Sequence, residues 1–118
     1  MKCRSMLMLI LLIVAPLAHS ATGWMGAKVT KTVVASGGTW GGCMALLNKN
    51  IAASTGLNCP DAWVTFSCSG TYAKKDIAYR MFDSAQMAWT LKQSVVLQID
   101  DSKKHNGFCF APVIFVEE

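Results

Sequence analysis

Residues 100–110, DDSKKHNGFCF, bring together groups from which a chemical site could be built. Asp100, Asp101, Lys103, Lys104, His105 and Asn106 supply carboxylates, ammonium groups, an imidazole and an amide. At a loop tip such groups can hydrogen-bond sugar hydroxyls or bind a cation. The competing reading is a solvated hairpin turn. Asn106-Gly107 tolerates positive φ at both positions and is a strong turn pair, and the charges would keep the tip wet. Turn chemistry favours this second reading. Trp40 in SGGTWGG, residues 36–42, is the other candidate. Flanking glycines can expose its indole, which would then stack on a sugar ring or seat a partner. A buried Trp40 would instead close one end of the fold. Trp24 and Trp63 invite the same question.

Catalysis is not expected. With the leader described below removed, the chain has one histidine, so a Ser-His-Asp arrangement would have to use His105 in the turn. No GxSxG elbow is present. Carboxylate-pair chemistry could draw on Asp61, Asp76, Asp83, Asp100 and Asp101. It needs one buried carboxyl of raised pKa, whereas the consecutive Asp100 and Asp101 are expected to point to opposite faces and to be solvated. No cofactor is implied.

The groups must be positioned by a small exported domain. Lys2 and Arg4, an apolar run of thirteen residues from Met6, and Ala18-His19-Ser20 form a secretory leader with cleavage before Ala21. The run is too short to span a bilayer, which takes roughly 20 residues, and an uncleaved anchor is the rival reading. Cleavage would leave residues 21–118 as one domain with nine Lys+Arg, seven Asp+Glu and a net charge of +2. That is too little to argue for nucleic-acid binding. The expected location is the periplasm or the cell exterior.

Cys43, Cys59, Cys68 and Cys109 remain, an even number in a small exported chain, and read as two disulfides with three possible pairings. Zinc is the alternative, but no pair has the short spacing of zinc ligands.

The chain reads as β-β-β-α-β-β. Strands are expected over 26–36, 43–48, 63–70, 94–100 and 108–116, with Pro112 marking an edge or bulge. Residues 49–62 read as a polar loop. In 63–70, Val64, Phe66 and Cys68 share one face and Trp63, Thr65 and Ser67 the other. Residues 73–93 hold strong helix formers and no Gly or Pro. Ile77, Ala78, Met81, Phe82, Ala85, Ala88 and Trp89 form the apolar arc of this helix, which places Trp89 in the core. Asp76, Tyr79, Arg80, Asp83, Met87 and Thr90 read as its solvated face, and Thr71 as its N-cap.

This order suits a five-stranded Greek-key barrel with a helical cap, the OB-fold architecture. An open sheet with a helix on one face is the runner-up. A 43–48/63–68 hairpin would set Cys43 opposite Cys68. Parallel third and fifth strands, as in an OB barrel, would then bring Cys59 to Cys109.

The layout of residues 73–116, a long helix leading into a strand, a polar turn and a last strand, resembles the OB-fold B subunits of pentameric bacterial toxins, of the subtilase-cytotoxin and cholera types. The resemblance covers less than half the chain and rests on pattern, not on a diagnostic motif. It implies an exported, glycan-binding, homopentameric lectin with helices around a central pore and an enzymatic A subunit seated on the ring. Cholera-type subunits use an indole in the last turn, which is absent here, and the resemblance does not place the sugar-binding serine of the subtilase type on any particular residue. The alternative is a monomeric periplasmic OB-type protein that binds or inhibits a cell-envelope partner.

Overall fold

A computed structural model describes residues 13–14 and 21–118. The leader and its cleavage site therefore lie almost wholly outside the described residues. Strand β1, Thr22–Val34, starts earlier than the Val/Thr-rich run suggested. Met25, Ala27 and Val29 are buried, while Thr22, Trp24, Gly26, Lys28 and Thr30 are exposed, the two-residue period of a strand with one face on the core. Residues 22–28 of β1 pair antiparallel with β4, Ser94–His105, from Thr22↔Asp100 to Lys28↔Ser94. Its second half pairs with β2, Cys43–Leu47, after a register shift between Val29 and Lys31. One bent strand thus joins both ends of the sheet.

β3, Trp63–Thr65, pairs antiparallel with β2. β5, Phe108–Glu117, runs antiparallel to β4 and parallel to β3 at Thr65↔Phe110. The five strands close into a barrel in the order β1-β2-β3-β5-β4, the closure between β3 and β5 resting on the single pair Thr65↔Phe110. Pro112 falls where the β4–β5 register slips, between Gln98↔Val113 and Asp100↔Phe110. A residue without an N–H fits that break in the ladder.

The polar stretch 49–62 contains a short helix, α1, Ile51–Thr55. Asn50 caps it by accepting from Ala53 N, and the Gly56 N–H closes the last turn on Ala52 O. This turn places Ile51 in the core with no exposure.

The long helix, α2, Lys75–Leu91, covers the barrel. Ala78, Met81, Phe82, Ala85 and Ala88 are buried, and the Phe82 ring lies 6.4 Å from that of Phe66. The alanines let the helix approach closely while the two phenyl rings fill the centre, and truncating a ring such as Phe66 costs about 3–5 kcal/mol. The helix departs from expectation at both ends. It starts after Lys74, and no side chain caps it. Thr71 instead lies 3.1 Å from Ser69 through the two hydroxyls. Ile77 and Trp89, expected in the core, are 44% and 48% exposed. The buried residues run from Ala78 to Ala88, and Ile77 and Trp89 fall just outside them at either end.

Two disulfides tie the elements. Cys43 pairs with Cys68 across β2 and the segment after β3. Cys59 pairs with Cys109, anchoring the α1 loop to β5. Residues 64–68 are all buried, so both faces of this alternation lie inside at Thr65 and Ser67. The glycine-rich segment Ser36–Gly42 lies over them, with Thr65 bonded to Trp40 O and Gly42 packed close to Cys68 and Ser69.

Candidate functional site

The chemistry-bearing stretch 100–107 is no floppy tip. β4 continues to His105, and only Asn106 and Gly107 form the turn, with φ of 51° and 86°. Between Asp100↔Phe110 and Lys104↔Cys109, β4 bulges outward. Asp100 is buried, and its Oδ1 accepts from Ser102 N and Ser102 Oγ at 2.9 and 2.6 Å. Lys103 Nζ reaches Asp100 Oδ2 at 3.9 Å. Asp101 accepts from Ala21 N at 3.3 Å and from Asn58 N at 3.1 Å. The expectation that both carboxylates are solvated fails for Asp100. Asp100 and Asp101 shape the bulge and fasten neighbouring chain, and Lys103 pairs with Asp100 rather than with the turn residues.

His105 and Asn106 belong to a different cluster. Asn106 Oδ1 accepts from Trp40 N at 2.7 Å, and Thr65 Oγ1 donates to Trp40 O at 2.8 Å. The Trp40 backbone, at φ 52°, is thereby held on both sides. His105 Nε2 lies 2.9 Å from Ser67 Oγ, which also accepts from Tyr72 N at 3.0 Å. The Tyr72 ring packs 4.8 Å from the imidazole, and its hydroxyl donates to Lys104 O at 3.0 Å. Burial lowers the His105 pKa from its usual 6.5. A Cβ on Gly41 would overlap both Thr65 Oγ1 and the His105 ring, so the segment carrying Trp40 lies directly on this network.

Ser67 and His105 have the separation of a nucleophile and its base. Yet Ser67 has no exposure, and no carboxylate among the described residues is hydrogen-bonded to the imidazole. The pair is a packing and hydrogen-bonding element under the Trp40 segment.

Above that network lies a cleft of about 160 Å³ lined by Val33, Trp40, Met44, Trp63 and Phe108. Trp40 comes from the β1–β2 segment, Met44 and Trp63 from β2 and β3, and Phe108 from the start of β5. Trp40 is 39% exposed. Asn106 therefore meets Trp40 and His105 lies against the neighbouring Gly41, both as carriers of the loop, while Asp100, Asp101 and Lys103 do not.

Trp63 proves to be a lining residue, and Phe108, Val33 and Met44 were not singled out by sequence. The readable signal for Trp63 is its place on the face of the alternation opposite Val64, Phe66 and Cys68. Phe108 had none, because its place depends on the hairpin ending at Asn106-Gly107. Trp24 is exposed elsewhere, stacked on Phe115 with ring centroids 5.9 Å apart.

Among the described residues, no group of three His, Cys, Asp or Glu is placed to hold a metal ion. No described helix is long and apolar enough to cross a membrane. The chain matches no family model, no curated protein and no solved structure.

Proposed function

We propose that the protein is an exported, non-catalytic binding domain with an OB-like Greek-key barrel, and that it recognises a glycan or a surface receptor through the aromatic cleft. The carrying observation is the position of Trp40, Trp63 and Phe108. They line the face of β2 and β3 between the β1–β2 segment and the β4–β5 turn. OB barrels take oligosaccharides and oligonucleotides at that place, and indoles offer the flat apolar surface that sugar rings stack on. The burial of Ser67 supports a binding role over an acyl-transfer one. Two disulfides and the leader-like start support export.

The likeness to pentameric toxin B subunits extends this reading to a homopentamer that presents five weak sites at once, with an enzymatic A subunit as partner. A monomer that binds or inhibits a cell-envelope protein is the second reading. The almost wholly apolar lining favours it, since a cleft of about 160 Å³ also suits one apolar side chain.

Two measurements on the secreted protein test these readings. Native mass spectrometry is expected to give a species of five times the mature mass, and a clean monomer would sink the ring. On a glycan array, Trp63→Ala is expected to lose at least about tenfold in affinity, the scale of removing a buried aromatic anchor. Glycan binding untouched by both Trp63→Ala and Trp40→Ala would remove the cleft from the proposal.

A further inference from the structure

Trp89 is the largest side chain whose position contradicts the amphipathic pattern. It stands on the apolar arc of α2, yet it is 48% exposed. It does not project alone. Together with Lys28 and Thr30 of β1, Asn48 after β2, and Lys92 and Gln93 after α2, it lines a cavity of about 370 Å³. That volume falls within the range of small-molecule sites, about 300–1,000 Å³. This cavity shares no lining residue with the aromatic cleft.

The polar groups point to one ligand chemistry. Among the described residues the only ion pair is Lys103–Asp100, so neither Lys28 nor Lys92 has a carboxylate within bonding distance. Lys49 borders the adjoining cavity, which shares Lys28 and Asn48, and Glu117 is the one acidic residue there. Within the cavity itself Lys28 and Lys92 are the two charged lining residues, and no acidic side chain lines it. Asn48 Oδ1 already accepts from Lys28 N at 2.8 Å, which leaves the Nδ2 group to donate. Thr30 Oγ1 donates to Leu46 O at 3.3 Å, which leaves its lone pairs to accept.

Lys92 carries a further sign. It ends α2 in the left-handed region at φ 55°, a conformation that favours glycine. The exposed carbonyl end of a helix repels anions. Here the Ala88 and Trp89 carbonyls accept from the N–H groups of Lys92 and Gln93, and the Lys92 ammonium group offsets what remains.

We infer that the cavity between the C-terminal end of α2 and β1 binds an acidic saccharide, with Trp89 stacking on a sugar ring and Lys28 and Lys92 pairing with its carboxylate or sulfate. An indole beside ammonium groups matches a ring with an apolar face and one negative charge, and the amides and the threonine hydroxyl match its hydroxyl groups. The site is distinct from the aromatic cleft and does not depend on it.

Titration calorimetry on the secreted, disulfide-intact protein tests this with a sialylated trisaccharide, a sulfated disaccharide and the neutral counterpart of each. At least one acidic sugar is expected to bind about tenfold tighter than its neutral counterpart, as charge-assisted hydrogen bonds allow. That preference should weaken steeply with salt. Trp89→Ala is expected to abolish the binding and Trp89→Phe to retain part of it, while Lys28→Gln with Lys92→Gln should remove only the preference for the acid. Trp40→Ala and Trp63→Ala should leave it intact, which separates this site from the cleft. Equal binding of acidic and neutral sugars, no binding of either acid, or tighter binding of a single-stranded oligonucleotide would each overturn the assignment. Circular dichroism of the Trp89 and lysine variants must match the parent, as their exposure predicts.

Discussion

His105 shows how one residue can hold a surface in place without touching a ligand. Its ring lies between Tyr72 and the Gly41 backbone, with Nε2 on Ser67 Oγ. Burial favours the neutral ring and lowers its pKa below 6.5. The unfolded chain therefore takes up the proton first as pH falls, and the folded state binds fewer protons in that window. Stability is fully present above about pH 6.5 and is lost as pH falls toward the folded-state pKa. Urea midpoints measured from pH 7.5 to pH 5.5 are expected to decrease, and His105→Gln to flatten that part of the profile. An unchanged profile in the variant would place the titration elsewhere. Gly41 makes the same site intolerant of change, since a side chain there meets both Thr65 and His105.

At the scale of elements, the disulfides matter most where they fasten short pieces. β3 has three residues and α1 has five, too few to hold their places by local hydrogen bonds. The loops closed by Cys43–Cys68 and Cys59–Cys109 span 25 and 50 residues, for which chain entropy gives about 3–4 kcal/mol each. Replacing Cys59 and Cys109 together by serine is expected to lower the unfolding free energy by about that amount, read by urea titration. A loss below about 1 kcal/mol would mean that the α1 loop is held by other contacts. The long helix and the last two strands were legible because each carries its period over many residues. α1 was not, although Asn50 and Gly56 bracket it in the sequence, because five residues show no period. The burial of Thr65 and Ser67 was hidden for a different reason. It depends on the Ser36–Gly42 segment folding over β3, a tertiary event that alternation does not encode. The exposure of Trp89 is not legible either, because an apolar arc marks the side of a helix that faces the barrel and not whether the barrel has a place there for so large a ring.

For the whole molecule, strand β1 decides closure, since it pairs with β4 along one half and with β2 along the other. The first residue before it, Ala21, is fastened in turn: Asp101 accepts from its N–H, and Asp101 N donates to its carbonyl at 3.0 Å. In the uncut chain that nitrogen is a neutral amide. A cut before Ala21, where the leader pattern puts it, would make the same nitrogen an ammonium group facing the Asp101 carboxylate. Export would then complete the barrel's seam electrostatically, and only a correctly trimmed chain would carry the pair. A chain extended by two residues before Ala21 is expected to melt a few degrees lower than the trimmed one, the scale of a partly exposed ion pair in a domain of this size. Asp101→Asn should erase the difference. Equal melting temperatures of the extended and trimmed chains would show that the hydrogen bond alone suffices. A measured difference would make a free amino group at Ala21 part of what closes the barrel.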